Sequence, residues 1–294
     1  MENITWKSWF EKDRFGTDDI VIRNQVLQEV DYIRDEILRC LSALSADATV
    51  IDFGCGDGFL GIQALLDNPN ISRLIFCDRD PQVLDLCRTK VQSLKFLSRS
   101  QFVRSSATAI KGISDESVDA IIFRAVLMYI TEKQKIFDEL FRVLKGGGVV
   151  SFQEPVNKYS KSETLTSFRG LDCSPIKAII LKIKEHQTEV LRKNKIDLYN
   201  YDERDLISMV KKSGFKSITV NFHYFEKALP ILNVDYFFNY KPNTYTPSLG
   251  ESINNALTKH EKENALSFFN SVVNVKKPLN RKMASIYVTA FKCG

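Results

Sequence analysis

The chain has 294 residues, 44% hydrophobic, 26% charged and 11% aromatic, enough to bury the core of one large α/β domain or of a domain with a cap. A formal net charge of +5 is small for this length and excludes the dense basic stripe expected of a nucleic-acid binder. Six cysteines with no C-x-x-C pair and only three histidines exclude a zinc site by spacing and a disulfide framework, so no metal is expected.

In chain order, MENITWKSWFEKDR is polar and carries no hydrophobic signal region. No apolar run approaches the ~20 residues that span a bilayer, so a soluble, cytoplasmic protein without a membrane partner is expected. Thr17-Asp18-Asp19 then offers capping residues for a long amphipathic helix over 17–45, with Ile20, Val26, Leu27, Val30, Ile33, Ile37, Leu38 and Leu41 at helical spacing. Strand and helix patterns alternate after it. TVIDF (49–53) precedes a helix from Gly58 to Asp67, and LIFCD (74–78) precedes one opening at Pro81. FVRSS (102–106) leads into a loop, VDAIIFR (118–124) precedes a helix over 131–145, and GGGVVSFQE (146–154) is a fifth strand. Short buried strands with intervening helices predict a parallel sheet wound on both faces.

The second half is less regular. A helix starting at Pro175 fills most of a long insertion in which nine Lys/Arg meet five Asp/Glu over 156–200, an excess that a solvated helix face explains. Asp202 to Ser213 reads as a helix ended by Gly214, while FKSITVNF (215–222) and MASIYVTAF (283–291) alternate as strands with one wet face. Between those strands lies a stretch with little periodicity, rich in aromatics: Phe225, Tyr236, Phe237, Phe238, Tyr240 and Tyr245.

The segment ATVIDFGCGDGFLG (48–61) carries two fingerprints. Gly56, Gly58 and Gly61 form G-x-G-x-x-G, a dinucleotide turn; Asp52, Gly54, Gly56 and Gly58 form an acid followed by three glycines. Asp78, placed to grip ribose hydroxyls, suits both. Asp52 discriminates, because a buried acid costs several kcal/mol unless something pairs with it. An ammonium would serve and a pyrophosphate would be repelled. For Gly61 alone, helix packing is the preferred explanation.

On these residues the chain resembles the class I S-adenosylmethionine-dependent methyltransferases. Their first motif is similar to Asp52-Phe53-Gly54-Cys55-Gly56-Asp57-Gly58, and the likeness runs on through CDRDP (77–81), VRSSATAI (103–110), SDESVDAIIFRAVLMYI (114–130) and VLKGGGVVSFQEP (143–155). The resemblance implies S-adenosylmethionine as cofactor and a seven-stranded, mostly parallel, doubly wound sheet closed by a late antiparallel strand pair. It also implies cofactor contacts from Asp52, Gly54, Cys55, Gly56, Gly58, Asp78, Arg79, Ser106, Ala107 and Arg124. Where that family often has an Asp, this chain has Ser106 followed by Ala107. Expected divisions are an N-terminal helical lid over 1–45 and a cofactor-binding core over 46–155. A helical cap over 156–200 and a second insertion over 229–280 interrupt the core, which 201–228 and 281–294 complete.

The expected reaction is methyl transfer to a nitrogen or oxygen of a small molecule, for which an aromatic or an amine is a candidate. His223, among Phe222, Tyr224 and Phe225, is the best-placed histidine for a base, although a strand-end histidine with a satisfied hydrogen bond is the preferred explanation. Glu154 ends the fifth strand, where it either meets a substrate or orders a loop, and Tyr129 competes for the substrate side. His186 and His260 lie among charged helical residues and read as solvated. Rival readings are a methyltransferase for a macromolecule docked on Lys177, Lys182, Lys184, Arg192, Lys193 and Lys195, an NAD-dependent oxidoreductase, and a non-catalytic S-adenosylmethionine-binding module. The oligomeric state is not legible in the sequence.

Overall fold

A computed structural model describes residues 6–28, 31–160, 165–229, 233–275 and 279–294. Helical residues on either side of 29–30, α1 (Ile20–Gln28) and α2 (Asp31–Leu38), lie within the span where a long helix is expected, and Arg39–Ala43 tightens into a 3-10 turn. Val30, one of the spaced apolar residues, lies outside the described residues. On α1 only Ile22 is buried, and Ile20 and Val21 are exposed; Ile33 and Ile37 anchor α2 in the core beneath the sheet.

Strands and helices then alternate as their patterns predict: β1 (Ala48–Phe53), α3 (Phe59–Asp67), β2 (Ile71–Asp78), α4 (Pro81–Ser93), β3 (Ser100–Arg104), β4 (Val118–Arg124), α5 (Lys133–Val143) and β5 (Leu144–Pro155). The cause is local in several places. Asp80 caps α4 by accepting the Gln82 amide, with Pro81 supplying a first-turn residue that needs no hydrogen bond. Gly58, at φ +86°, caps α3. The later elements are α6 (Lys177–Lys193), α7 (Glu203–Lys212), β6 (Lys216–Leu229), α8 (Val234–Asn239), α9 (Leu249–Ala256), α10 (Lys259–Asn274) and β7 (Leu279–Phe291). Both late strands run longer than their alternating patterns suggest.

The seven strands form one sheet in the order β3-β2-β1-β4-β5-β7-β6. Neighbours from β3 to β5 are parallel, and β7 runs antiparallel to β5, so the expected doubly wound sheet with its late antiparallel pair is present. Interior strands read as unbroken apolar runs because both faces are covered: Val50, Ile51, Leu74, Ile75, Ile121 and Ile122 have no accessible surface.

The chain divides into two compact units. One comprises Val30–Val156, Tyr199–His223 and Ser285–Gly294 and holds the parallel sheet; the other comprises Met1–Glu29, Asn157–Leu198 and Tyr224–Ala284. The second unit has its own apolar core, in which Phe168, Ile180, Ile183, Phe237, Leu249 and Phe269 pack together. The aromatic stretch, expected to show little periodicity, holds three helices among its described residues, α8, α9 and α10. Asn233 caps α8 by accepting the Tyr236 amide, and α9 and α10 start in capping boxes, Ser248 with Glu251 and Thr258 with Glu261, rather than in a long apolar stripe. Its aromatics divide accordingly: Phe237 is core, while Phe222, Tyr224 and Phe225 are exposed. Trp6, Trp9 and Phe10 cluster with one another, and Trp6 meets Tyr245 edge-on at 5.8 Å. His186 corrects the expectation of a solvated side chain, since it is half-buried and its Nδ1 is buried with no hydrogen bond among the described residues. His260 is exposed, 3.3 Å from the Asn264 amide.

Candidate active site at the carboxyl edge of the sheet

The glycine turn between β1 and α3 is built around two carboxylates. Asp52 is 1% exposed, and its Oδ2 accepts the Gly61 amide at 2.9 Å. Burial pushes its carboxyl up to about 7; the Gly61 bond opposes this, while Asp78 and Asp57 add to it. Asp78 ends β2, with Oδ2 accepting from the Gly56 amide at 3.1 Å and Oδ1 from the Asp80 amide at 3.0 Å. Burial raises Asp78 as well. Asp57 is also buried, and Lys90 of α4 pairs with it at 2.7 Å. The Gly54 and Cys55 amides both donate to the Cys77 carbonyl, at 2.8 and 3.0 Å.

The glycines are required by geometry. Gly54 sits at φ +66°, and a Cβ there would lie 2.5 Å from Val126 Cγ2. A Cβ at Gly58 would lie 2.8 Å from Cys87 Sγ, and one at Gly61 would lie 2.5 Å from the Phe76 ring. Gly61 therefore serves the packing of α3 on β2. Cys55 turns its thiol toward Cys87 in the core, and burial pushes that thiol well above its usual range.

Beyond β2, Arg79 is exposed and its carbonyl accepts from Arg104 at 3.4 Å. Ser106 is exposed and Ala107 half-buried in a tight loop closed by a bridge between Ser106 and Ala109. Ser105, which sequence reasoning passed over, holds this loop. Its amide donates to the Asp78 carbonyl at 3.0 Å, and its hydroxyl donates to the Ala109 carbonyl and accepts the Lys111 amide.

At the end of β4, Arg124 lies half-buried with its guanidinium 5.4 Å from the centre of the Phe59 ring, which opens α3. Ala125 follows in the left-handed region, at φ +52°. Glu154 on β5 holds the turn after it: Oε1 accepts the Val126 and Leu127 amides at 2.7 and 3.0 Å. Oε2 lies 3.0 Å from the Tyr201 hydroxyl. Glu154 has no accessible surface, and burial pushes it up to about 7 against those hydrogen bonds and the nearby charge of Lys133. Tyr129 is half-buried on the 3-10 turn Leu127–Tyr129.

His223 is half-buried on β6, its ring 4.7 Å from that of Tyr287 and inclined by 44°. Tyr287, on β7, is 4% exposed; burial raises its hydroxyl well above the usual range, Tyr32 and Glu36 add to this, and Arg124 opposes it. Register explains the grouping, because Arg124 pairs with Gln153, which in turn pairs with Tyr287.

The fold thus brings Asp52, Asp78, Ser106, Arg124 and Glu154 to one edge of one sheet, as doubly wound sheets bring their ligand-binding residues. Contacts join them in series: Ser105 to Asp78, Asp78 to Gly56, Glu154 to Val126, Val126 to Gly54. Tyr201, Lys133 and Tyr287 belong to this neighbourhood and carry no local motif that would have announced them.

The residues fit one class of ligand better than the other. Amides that a pyrophosphate needs, at Gly56 and Gly61, are taken by Asp78 and Asp52. Two carboxylates whose burial disfavours their charge would instead be held in the ionised form by a bound cation.

Comparison with known proteins agrees. The family described as Methyltransferase domain matches residues 44–199, more than half of the chain. The tRNA 5-carboxymethoxyuridine methyltransferase of Escherichia coli is 26% identical over 143 residues, 48% of this chain and 51% of that protein. The ubiquinone/menaquinone biosynthesis C-methyltransferase of Salmonella arizonae is 25% identical over 190 residues, covering 60% of this chain and 70% of its own length. The chain thus spans about half the length of the first of these relatives. Phosphoethanolamine N-methyltransferase 2 of Haemonchus contortus, solved with S-adenosyl-L-methionine, shares the fold at TM-score 0.54 and 16% identity, over 90% of this chain and 53% of its own.

Proposed function

Since the chain belongs to the methyltransferase domain family, we infer that it is an S-adenosylmethionine-dependent methyltransferase working at the carboxyl edge of its sheet. One observation carries this reading: Asp52, buried, and Asp78, half-buried, take the Gly61 and Gly56 amides and leave their charge to be met by a cation. An NAD-dependent oxidoreductase finds no support in that turn.

In this reading the cofactor supplies a methyl group made electrophilic by a sulfonium. The residues bind and orient it. Gly54, Cys55, Gly56 and Gly58 let the backbone approach, Asp52 answers the ammonium, and Asp78 keeps lone pairs for ribose hydroxyls. Arg79, Ser106 and Ala107 flank the adenine, and Arg124 offers a cation to the methionine carboxylate. In-line transfer needs little more from a protein than alignment and exclusion of water.

For the substrate we favour a small molecule methylated at nitrogen or oxygen. His223, half-buried against Tyr287, is the side chain suited to take the departing proton, with Tyr129 as a substrate-side hydroxyl. Glu154, bonded to two amides and a phenol, reads as a residue that orders the turn after β4.

A second reading, an RNA substrate, is favoured by the tRNA-directed relative. Against it, the basic residues of α6 are partly engaged within their own unit: Lys182 with Glu261 at 2.5 Å, Lys193 with Glu189 at 2.9 Å, Lys184 with the Leu165 carbonyl at 3.1 Å. No described helix is long and apolar enough to cross a membrane. Six free thiols suit a reducing, cytoplasmic setting.

The test is to incubate the chain with methyl-labelled S-adenosylmethionine and two cell fractions, metabolites and total RNA. Label is expected in the metabolite fraction, reduced at least tenfold by His223→Gln through loss of the base. Label in RNA alone would overturn the small-molecule reading.

A further inference from the structure

Tyr201 stands just before α7, whose capping box fixes the local backbone: the Asp202 carboxylate accepts the Arg204 and Asp205 amides, and Asp205 accepts the Asp202 amide. The Tyr201 side chain is 2% exposed, and its hydroxyl lies 3.0 Å from Glu154 Oε2 and 2.9 Å from the Pro155 carbonyl. Lys133 of α5, itself 6% exposed, places its ammonium 5.2 Å from the centre of the Tyr201 ring and donates to the Ile130 carbonyl at 2.6 Å. Three ionisable side chains from three elements are therefore buried together behind the turn that follows β4.

That turn is strained. Ala125 has a left-handed backbone that an L side chain adopts only when its surroundings impose it. Glu154 imposes it by taking the next two amides, and the Val126 side chain then presses on Gly54. We propose that Tyr201 is a positioning residue: by aiming Glu154 at the Val126 and Leu127 amides it clamps Val126 on Gly54 and so sets how tightly the glycine turn holds its ligand. This rests on the methyltransferase reading for the identity of the ligand, but not for the clamp.

The charged form of Glu154 accepts both amides best, and the groups that act on it are Lys133 from α5 and Tyr201 itself, with Tyr129 acting on Tyr201. Lys133 and the Tyr201 hydroxyl both favour that charged form. Removing the hydroxyl therefore raises the pH at which the clamp tightens. Asp52 titrates in the same range, but its partners are Gly61, Asp78 and Asp57, so a shift caused at Tyr201 reports Glu154.

The experiment uses Tyr201→Phe in the full chain with two readouts. Hydrogen exchange of the Val126 and Leu127 amides, without ligand, is expected to quicken at least tenfold. Calorimetric titration with S-adenosylhomocysteine from pH 5.5 to 9 is expected to show roughly tenfold weaker binding, since a hydrogen bond to a charged group is lost. Its pH midpoint should move upward from the wild-type value near 7. Unchanged exchange overturns the clamp, and so does unchanged affinity and midpoint beside a lowered melting temperature. If the wild type takes up no S-adenosylhomocysteine, the cofactor assignment fails, and exchange alone still judges the clamp. Should Tyr201→Phe not fold, Lys133→Met removes the cation that favours charged Glu154 and is read the same way.

Discussion

Gly54 shows how narrowly a single position can be constrained. Alanine there would have to hold φ +66°, at about 1–2 kcal/mol for an L residue, and meet Val126 at 2.5 Å. Gly54→Ala is expected to destabilise the chain by about 2–4 kcal/mol, as strain and overpacking add. Adding Val126→Ala should recover only the packing share, because the backbone strain remains. Denaturant unfolding of both variants checks this, and full recovery in the double variant would mean the turn is not strained. Some of this site is readable from the chain alone. Asp52 and Asp78 announce themselves through the spacing of acids and glycines about two strand ends. Tyr201 and Glu154 do not, since 47 residues separate them and only the meeting of β5 with the segment before α7 joins them. Ser105 hid for another reason: its neighbour Ser106 drew attention by resemblance, while its own role is to bond backbone groups inside the loop.

Among the elements, the parallel half of the sheet is the most legible, because strands covered on both faces leave unbroken apolar runs bounded by glycine, proline and acids. Helices α8, α9 and α10, in the other unit, are the least legible. Their faces are short, and the signal that starts them is a pair of side chains three residues apart rather than a stripe. That signal carries free energy. Thr258 accepts the Glu261 amide and Glu261 answers the Thr258 amide, so Thr258→Ala should cost about 1 kcal/mol in that unit's stability. Thr258→Ser should restore nearly all of it. Denaturant unfolding followed by a probe within that unit decides, and a loss below about 0.2 kcal/mol would show that packing of α10 alone sustains its first turn.

For the whole molecule, the buried acids tie stability to pH. Burial raises Asp52 from 3.8 to about 7 and Glu154 from 4.5 to about 7. Both folded values exceed the unfolded ones, so between roughly pH 4 and pH 7 the folded chain binds more protons than the unfolded chain. Their contribution to stability is full below pH 4, falls as pH rises and is lost once pH passes 7. The melting temperature of the unligated chain should therefore decline from pH 5.5 to pH 8, and Asp52→Asn should flatten part of that decline. A melting temperature that rises over this interval would contradict the burial argument. A ligand that brings a cation to Asp52 favours its ionised form, so binding should strengthen over the same interval in which the free chain weakens.

The central claim, that the glycine turn holds S-adenosylmethionine, is tested most directly by calorimetric titration of the chain with S-adenosylhomocysteine, NAD and NADP in parallel. Binding of S-adenosylhomocysteine at one site per chain is predicted, lost or weakened at least a hundredfold in Asp78→Ala, with no heat from either dinucleotide. Saturable uptake of NAD or NADP without S-adenosylhomocysteine would contradict the account, and the assignments of Asp52, Asp78 and Arg124 would fall with it.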